Sequence, residues 1–311
     1  MRKLRKALEE YLSIRRALGS KLREPAGLLR QFVAFADREG VSFVSRKLAV
    51  QWATQPANAL PSTWSDRLRM VRQFAEYLSA SDPRTEIPQK ELLPYRYQRK
   101  PPYLYTDKQI LNLVKSAKKL DPPGGLRAHT YATLFGLLAV TGMRISEPIS
   151  LDREDVDLQQ GVLTIRQTKF GKSRLVPLHA STVAKLREYA RLRDRLCPNP
   201  MSPSFFVSER GTRLTDFTVR RWFVILSRQI GLRGENDSHG PRLHDLRHGF
   251  VIKTLLKWYR GGVDVERRMP VLATYLGHGH VADTYWYLSA TPELLHLVTL
   301  KLEKSNGRPL S

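Results

Sequence analysis

The chain has 311 residues, enough for about two domains at roughly 150 residues each. Lys and Arg number 52 against 29 Asp and Glu, a formal net charge of +23, so a polyanion is the partner to expect. With 41% hydrophobic residues the chain is too apolar for a disordered polycation, and a single cysteine, Cys197, excludes an intramolecular disulfide or a cysteine-based zinc site.

At the start, Met1 to Glu10 has the charge of a secretory n-region, but Glu9 and Glu10 stand where an apolar core should be, so no signal peptide is expected. From Leu4 to about Ala80 apolar residues recur at spacings of three and four, as in Leu8 and Leu12, Leu28, Leu29, Phe32 and Val33, and Leu68, Val71, Phe74 and Leu78. That spacing predicts a small all-helical domain over residues 1–82. Ser62 or Ser65 could cap its last helix, whose polar faces bear Arg67, Arg69 and Arg72. This row is either a solvated surface or a set of phosphate and base contacts.

Periodicity fails over residues 83–105, where Pro83, Pro88, Pro94, Pro101 and Pro102 lie among Lys90, Arg96, Arg99 and Lys100. A basic, extended interdomain linker is the reading. At Thr106 a new helix starts, with Gln109 placed to complete a capping box, and the second domain follows over residues 106–311. Ala128 to Val140 reads as a buried helix running into Arg144. The apolar stretch from Tyr131 to Met143 is well short of the ~18–20 residues that span a bilayer. Val162–Ile165 and Leu175–Val176 suit two strands of a hairpin whose tip is Phe170-Gly171-Lys172. Helical patterns return at 182–192, 217–230, 244–259 and 292–302, with a short strand candidate at 205–208. Arg220 and Arg221 lie on the second of these helices.

Gly171-Lys172-Ser173 ends like a phosphate-binding loop, but Arg166 stands where its opening glycine should be, which removes an ATPase reading. His244 and His248, with His278 and His280, are of metal-ligand type, yet Arg242 and Arg247 beside them disfavour a dication. No metal and no other cofactor is expected. Taken together, Arg144, Lys169 or Lys172 at the hairpin tip, His244 and Arg247 three apart on one helix, His278 after Leu276-Gly277, and Tyr287 describe a site for a phosphate. Arginine suits it because its planar fork pairs two oxygens at once and stays protonated. Tyrosine serves as nucleophile when nearby cations favour the phenolate or a base takes its proton.

At four segments, TGMRISEPISL (141–151), TKFGKSRLVPL (168–178), HDLRHGF (244–250) and LGHGHVADTYWY (276–287), the sequence resembles the tyrosine recombinase (phage integrase) family. The resemblance implies a mainly α fold: an all-helical N-terminal core-binding domain and a larger, mostly α catalytic domain with a small β-hairpin. It implies that Arg144 and Arg247 clamp the scissile phosphate, that His244 bonds the same group and assists proton transfer, and that His278 holds a nonbridging oxygen. Lys169, with Lys172 as runner-up, would protonate the departing 5′ oxygen, Glu147 would be structural, and Tyr287, rather than Tyr285, would attack phosphorus.

It further implies a site-specific DNA strand transferase that needs neither metal nor ATP and serves integration, excision or transposition of a mobile element. The alternatives are dimer resolution, a catalytically silent DNA-binding protein, or a metal-dependent nuclease using the histidines. Its partner would be duplex DNA bearing a recombination site, clamped between the two domains, with Arg67, Arg69, Arg72, Arg220 and Arg221 among the DNA contacts. Free, the chain would be a monomer or weak oligomer; on DNA, a homotetramer, with accessory DNA-bending factors and no membrane. A bacterial cytoplasmic, nucleoid-associated location follows. Three departures stand out: Pro148 within the first motif, a long stretch between Arg247 and His278 read as an enlarged turn touching DNA, and the extra His280, expected to be exposed. The apolar tail after Tyr287 would pack on its own domain or dock on a neighbouring protomer.

Overall fold

A computed structural model describes residues 2–20, 22–94, 101–166 and 173–305. The chain divides into two compact units, Met1–Lys100 and Pro101–Ser311. In the first, helices α1 (Arg2–Ala17), α2 (Arg23–Arg38), α3 (Arg46–Thr54) and α4 (Pro61–Leu78) enclose a core of Leu8, Leu12, Leu29, Phe32, Trp52, Val71 and Phe74. The apolar stripes of α1, α2 and α4 are those the spacing predicts, and α3 adds Leu48 and Trp52. Ser45 caps α3 by accepting the Leu48 amide at 3.2 Å. At α4 neither Ser62 nor Ser65 is the cap: Pro61 occupies the first turn after Leu60, where its missing amide costs no hydrogen bond.

The start of the proline-rich stretch folds back on this unit. The Glu86 amide donates to the Val44 carbonyl at 2.8 Å, its carboxylate accepts the Arg46 amide at 2.7 Å, and Leu93 packs on the core. Its other end belongs to the second unit, where Tyr105 is buried and donates to the Arg242 carbonyl at 3.0 Å.

The second unit is built around α6 (Leu126–Thr141), a helix with buried residues on several faces because α5 (Asp107–Ala117), α8 (Ala180–Leu196) and α10 (Asp245–Arg260) all pack on it. The Thr106 capping box forms, with both of its hydrogen bonds present. After α6 come the short α7 (Ser146–Ser150) and a three-stranded antiparallel sheet in the order β1 (Val156–Asp157), β2 (Val162–Ile165), β3 (Arg174–Pro177). Leu163 faces Val176 and Ile165 faces Arg174 across the hairpin. Pro148 sits in the first turn of α7, where proline is tolerated. Residues 205–208 are not a laddered strand: Val207 makes a single bridge to Arg213 before α9 (Asp216–Gln229), and Phe205 and Phe206 pack as core against Tyr189.

Beyond α10 the expected enlarged turn is instead mostly helix. Asp264 caps α11 (Val265–Leu276) by accepting the Arg267 amide, and Val265, Met269, Leu272 and Leu276 form a separate core with Val251, Ile252 and Leu255 of α10. Arg268 lies over the Trp258 ring. Then follow α12 (Ala282–Tyr285), a 3-10 turn over Trp286–Ser289, and α13 (Pro292–Ser305). Leu294 of α13 is buried in this core against α10, while Leu295 and Leu302 are exposed.

Candidate active site

The expected site residues that are described come from four places in the second unit. Arg144 follows α6 across Gly142, whose φ of +62° turns the chain sharply; an added Cβ there would lie 2.5 Å from the Phe250 ring. From this position the Arg144 guanidinium donates to the Gly277 carbonyl at 3.1 Å and to Glu147 at 3.2 Å. Arg247, in the first turn of α10, is 2% exposed and donates to the Gly142 carbonyl at 2.7 Å, the Leu276 carbonyl at 2.8 Å and His278 Nε2 at 2.9 Å. Both arginines therefore grip the turn that ends α11.

Because Arg247 is always a donor, Nε2 of His278 is the acceptor; its proton is on Nδ1, which donates to Thr284 Oγ1 at 2.7 Å. Tyr287, 3% exposed, has its ring parallel to that of His278 at 6.3 Å, and its hydroxyl lies 3.2 Å from His248 Nδ1. Tyr285, two residues earlier, is 43% exposed and outside the group. His244 packs edge-on against His248 at 4.7 Å and presents the rest of its ring to solvent. His280 is exposed. Lys169 and Lys172 lie outside the described residues.

Beneath these groups lies an ion pair the sequence does not announce. Arg174, on β3, donates to both oxygens of the buried Glu147 at 3.0 and 2.8 Å and to the Tyr275 carbonyl at 2.7 Å. Burial would raise the Glu147 pKa, but the bonds and charge of Arg174, the Arg144 amide and the Arg247 charge outweigh it and hold the carboxyl below its ordinary range. Burial, then the Arg144 charge, pull Arg247 down to about 10, so it remains charged at neutral pH. Three guanidinium groups thus surround one carboxylate, and the surplus charge favours an anion at the surface beside His244.

The histidines are shifted towards their neutral forms. His248 is pushed down to about 4 by burial and then by His244, and His278 to about 4 by burial and then by Arg247 and Arg144. Burial of its inner face, followed by the Arg247 charge, also lowers the exposed His244. Unfolded imidazoles titrate near 6.5, so between about pH 6.5 and 4 the unfolded chain binds more protons than the folded one. Stability is therefore expected to fall as pH falls through that window, by up to about 1.4 kcal/mol per pH unit for each buried ring. Urea midpoints at pH 7.5, 6 and 5 measure it; equal midpoints would contradict these environments.

Gly277 makes a second test. Its φ is +68°, and an added Cβ would lie 2.6 Å from the Arg174 guanidinium. Gly277→Ala should cost about 1–2 kcal/mol for the left-handed backbone alone, read from denaturant unfolding, and more from displacing Arg174. No change in stability would mean that this turn does not hold the arginines.

The expected DNA-contacting arginines are dispersed. Arg67 departs from the expected row: its guanidinium stacks 3.8 Å from the Trp52 ring and donates to the Trp52 carbonyl, tying α4 to α3. Arg69 is exposed and pairs with Asp66, and Arg72 is half-buried and reaches the Gln89 carbonyl at 3.4 Å. On α9, Arg220 pairs with Asp216, and Arg221 is exposed. Sequence reasoning missed Arg174 and Thr284 and treated His248 only as a metal candidate. The repeated histidine after Arg247 was the one available signal.

Comparison with known proteins bears on the same regions. Residues 104–293 match the model of the phage integrase family. An integrase/recombinase of Sinorhizobium fredii, y4rB, is 49% identical over 98% of both chains. The tyrosine recombinase XerD of Ralstonia nicotianae is 28% identical, covering 80% of this chain and 75% of its own. Among solved structures, the Tn1549 transposon integrase in complex with transposon right end DNA superposes with a TM-score of 0.68 at 16% identity, over 96% of this chain and 98% of that one. A lambda integrase tetramer bound to a Holliday junction does so with 0.59 at 18% identity, over 89% and 77%. A tyrosine in an arginine- and histidine-lined site, on this fold and with these relatives, identifies the chain as a member of the phage integrase family of tyrosine recombinases.

Proposed function

We propose that this chain is a site-specific DNA recombinase that cuts and rejoins duplex DNA through Tyr287. The observation that carries the reading is that one compact unit gathers Arg144 and Arg247 on the turn that ends α11, His278 between Arg247 and the Tyr287 ring, and His244 against the His248 that meets the Tyr287 hydroxyl. Arg144 and Arg247 offer fixed N–H donors to the nonbridging oxygens, where charge grows in the transition state. His244, at the solvent side, bonds the same phosphate. The Tyr287 oxygen attacks phosphorus as the bond to the 5′ oxygen breaks, leaving a 3′-phosphotyrosine and a 5′ hydroxyl. We assign the proton on that leaving oxygen to Lys169. Since the ester is exchanged and not hydrolysed, a second strand's 5′ hydroxyl reverses the step without an energy source.

A mobile-element role is supported by likeness to a transposon integrase, and assembly as a tetramer on DNA by likeness to a lambda integrase tetramer. Both remain readings of this chain, as does a nucleoid location. No helix among the described residues is long and apolar enough to cross a membrane. The test is incubation of the chain with a pool of nicked duplexes of randomised sequence, in chelator and in parallel with added magnesium, followed by denaturing capture of protein-bound DNA. Captured sequences sharing a motif, with strand exchange between two copies of it, support the reading; breaks that need a divalent metal and leave no bound protein overturn it.

The arginines of α4 separate in the same system. Arg69→Ala should lower affinity for all duplexes and reduce the salt slope by about one, as a phosphate contact does. Arg67→Ala should instead destabilise the first unit by about 1–2 kcal/mol through the lost cation–π and hydrogen-bond contacts. A lower salt slope with unchanged stability for Arg67→Ala would reverse that assignment.

A further inference from the structure

Tyr287 must lose its proton to attack, yet the residue is only 3% exposed, it feels the Arg247 charge, and its hydroxyl lies 3.2 Å from His248 Nδ1. His278 cannot take it in this arrangement, because its Nε2 lone pair already accepts from Arg247 and its Nδ1 is protonated towards Thr284. Glu147 is saturated by Arg174 and Arg144, and Asp245 by the Arg242 side chain and amide. Among the described residues His248 has the geometry of an acceptor, with Nδ1 at 3.2 Å from the phenolic oxygen.

Its position is over-determined. It is adjacent to Arg247 in the first turn of α10, so the helix that carries the clamp also carries this ring. Trp286 packs edge-on against His248 at 5.5 Å and against Tyr287 at 5.0 Å, and His244 holds its other side at 4.7 Å. A phosphate bridging Arg247 and His244 would therefore lie beside both the phenol and its partner.

Resting on the recombinase reading, we propose that His248 is the proton acceptor for Tyr287. The O–H bond of Tyr287 breaks as an N–H bond forms at His248 Nδ1; the phenolate closes on phosphorus, the bond to the 5′ oxygen opens, and that oxygen takes its proton from the general acid. In the reverse direction His248 returns the proton to the departing phenolate. Burial, with His244, Arg242 and Arg247 nearby and Asp245 opposing them, keeps the ring neutral in the DNA-free chain, which is the form that can accept. A bound phosphodiester adds negative charge beside it and raises its basicity at the moment of need.

The experiment uses the full chain and a nicked duplex of the captured sequence, made with either an ordinary phosphate or a sulfur in place of the bridging 5′ oxygen. A thiolate leaves without a general acid, so only the tyrosine side of the reaction is then read. His248→Ala should form adduct about 10²–10⁴-fold more slowly at pH 7 on both substrates, the span expected of a general base, with DNA affinity unchanged. The deficit should shrink as pH rises towards the tyrosine pKa, and added imidazole should restore part of the rate. His248→Asn, whose amide oxygen can hold the hydroxyl but cannot take its proton, should be as slow as His248→Ala. A wild-type rate in His248→Asn, or a deficit that is constant with pH or vanishes on the sulfur substrate, overturns the proposal. If the wild-type chain itself forms no adduct on any captured duplex, the recombinase reading fails, and the proposal with it.

Discussion

Tyr287→Phe is expected to abolish the covalent protein–DNA adduct, a loss of roughly 10⁴-fold or more, since no other group supplies the attacking oxygen. Tyr285→Phe is expected to retain it. The two residues are separated by one position, but the chain tightens from α12 into a 3-10 turn between them, and the tyrosines face different surroundings. Tyr285 is 43% exposed, whereas Tyr287 lies against His248 and His278 at 3% exposure. DNA binding measured by gel shift should be equal for both variants. Adduct formation by Tyr287→Phe and not by Tyr285→Phe would reverse the assignment.

Glu147→Ala should carry the largest stability cost of any single change in the second unit's polar interior, about 3–5 kcal/mol, because it leaves Arg174 buried without its anion and releases Arg144. Adduct formation should fall with it. Acid should partly mimic the change: the carboxyl's lowered pKa means its stabilisation is full above its unfolded value near 4.3 and lost as pH falls through the folded value. The paired variant Glu147→Leu with Arg174→Met removes both charges and should recover much of the stability, since well-packed apolar groups can replace a buried pair. Activity should not return, because Arg144 loses the carboxylate that orients it. Urea unfolding and adduct rates on the three proteins check this; recovery of activity in the paired variant would show that the pair does not position Arg144.

The fold was legible wherever local signals agreed. The Thr106 capping box, the stripes of α1, α2 and α4, and the two strands of the hairpin follow from periodicity and cap chemistry alone, whereas the α3 stripe and the register of Leu163 opposite Val176 come from the structure. Two-residue β1 is too short for alternation to register. Helix α11 was obscured by Gly261-Gly262 before it and Pro270 within it, although Asp264 as cap and Val265, Met269, Leu272 and Leu276 at helical spacing were present in the sequence. Arg67 looked like one of three equivalent cations because nothing local reveals that Trp52 lies beneath it.

In the site, residue type and order nominate Arg144, Lys169, His244, Arg247, His278 and Tyr287, of which all but Lys169 lie among the described residues of the second unit. Function as tyrosine recombination chemistry, and the mainly helical fold that carries it, are supported by the family match. What stayed hidden were the groups whose roles exist only in three dimensions. Arg174 meets Glu147 from a neighbouring strand, Thr284 accepts from the His278 Nδ1 that the Arg247 bond leaves protonated, and His248 meets Tyr287 across 39 residues of chain. Their chemistry is ordinary, and only packing gives it a direction.

The most direct measurement of the central claim is mass spectrometry of the peptide that remains attached to DNA after reaction in chelator and nuclease digestion. The account predicts a nucleotide joined through its 3′ phosphate to Tyr287, with a 5′ hydroxyl on the released strand. Attachment at Tyr285 or any other residue, a 5′-phosphate linkage, or strand breaks without a bound peptide would contradict it.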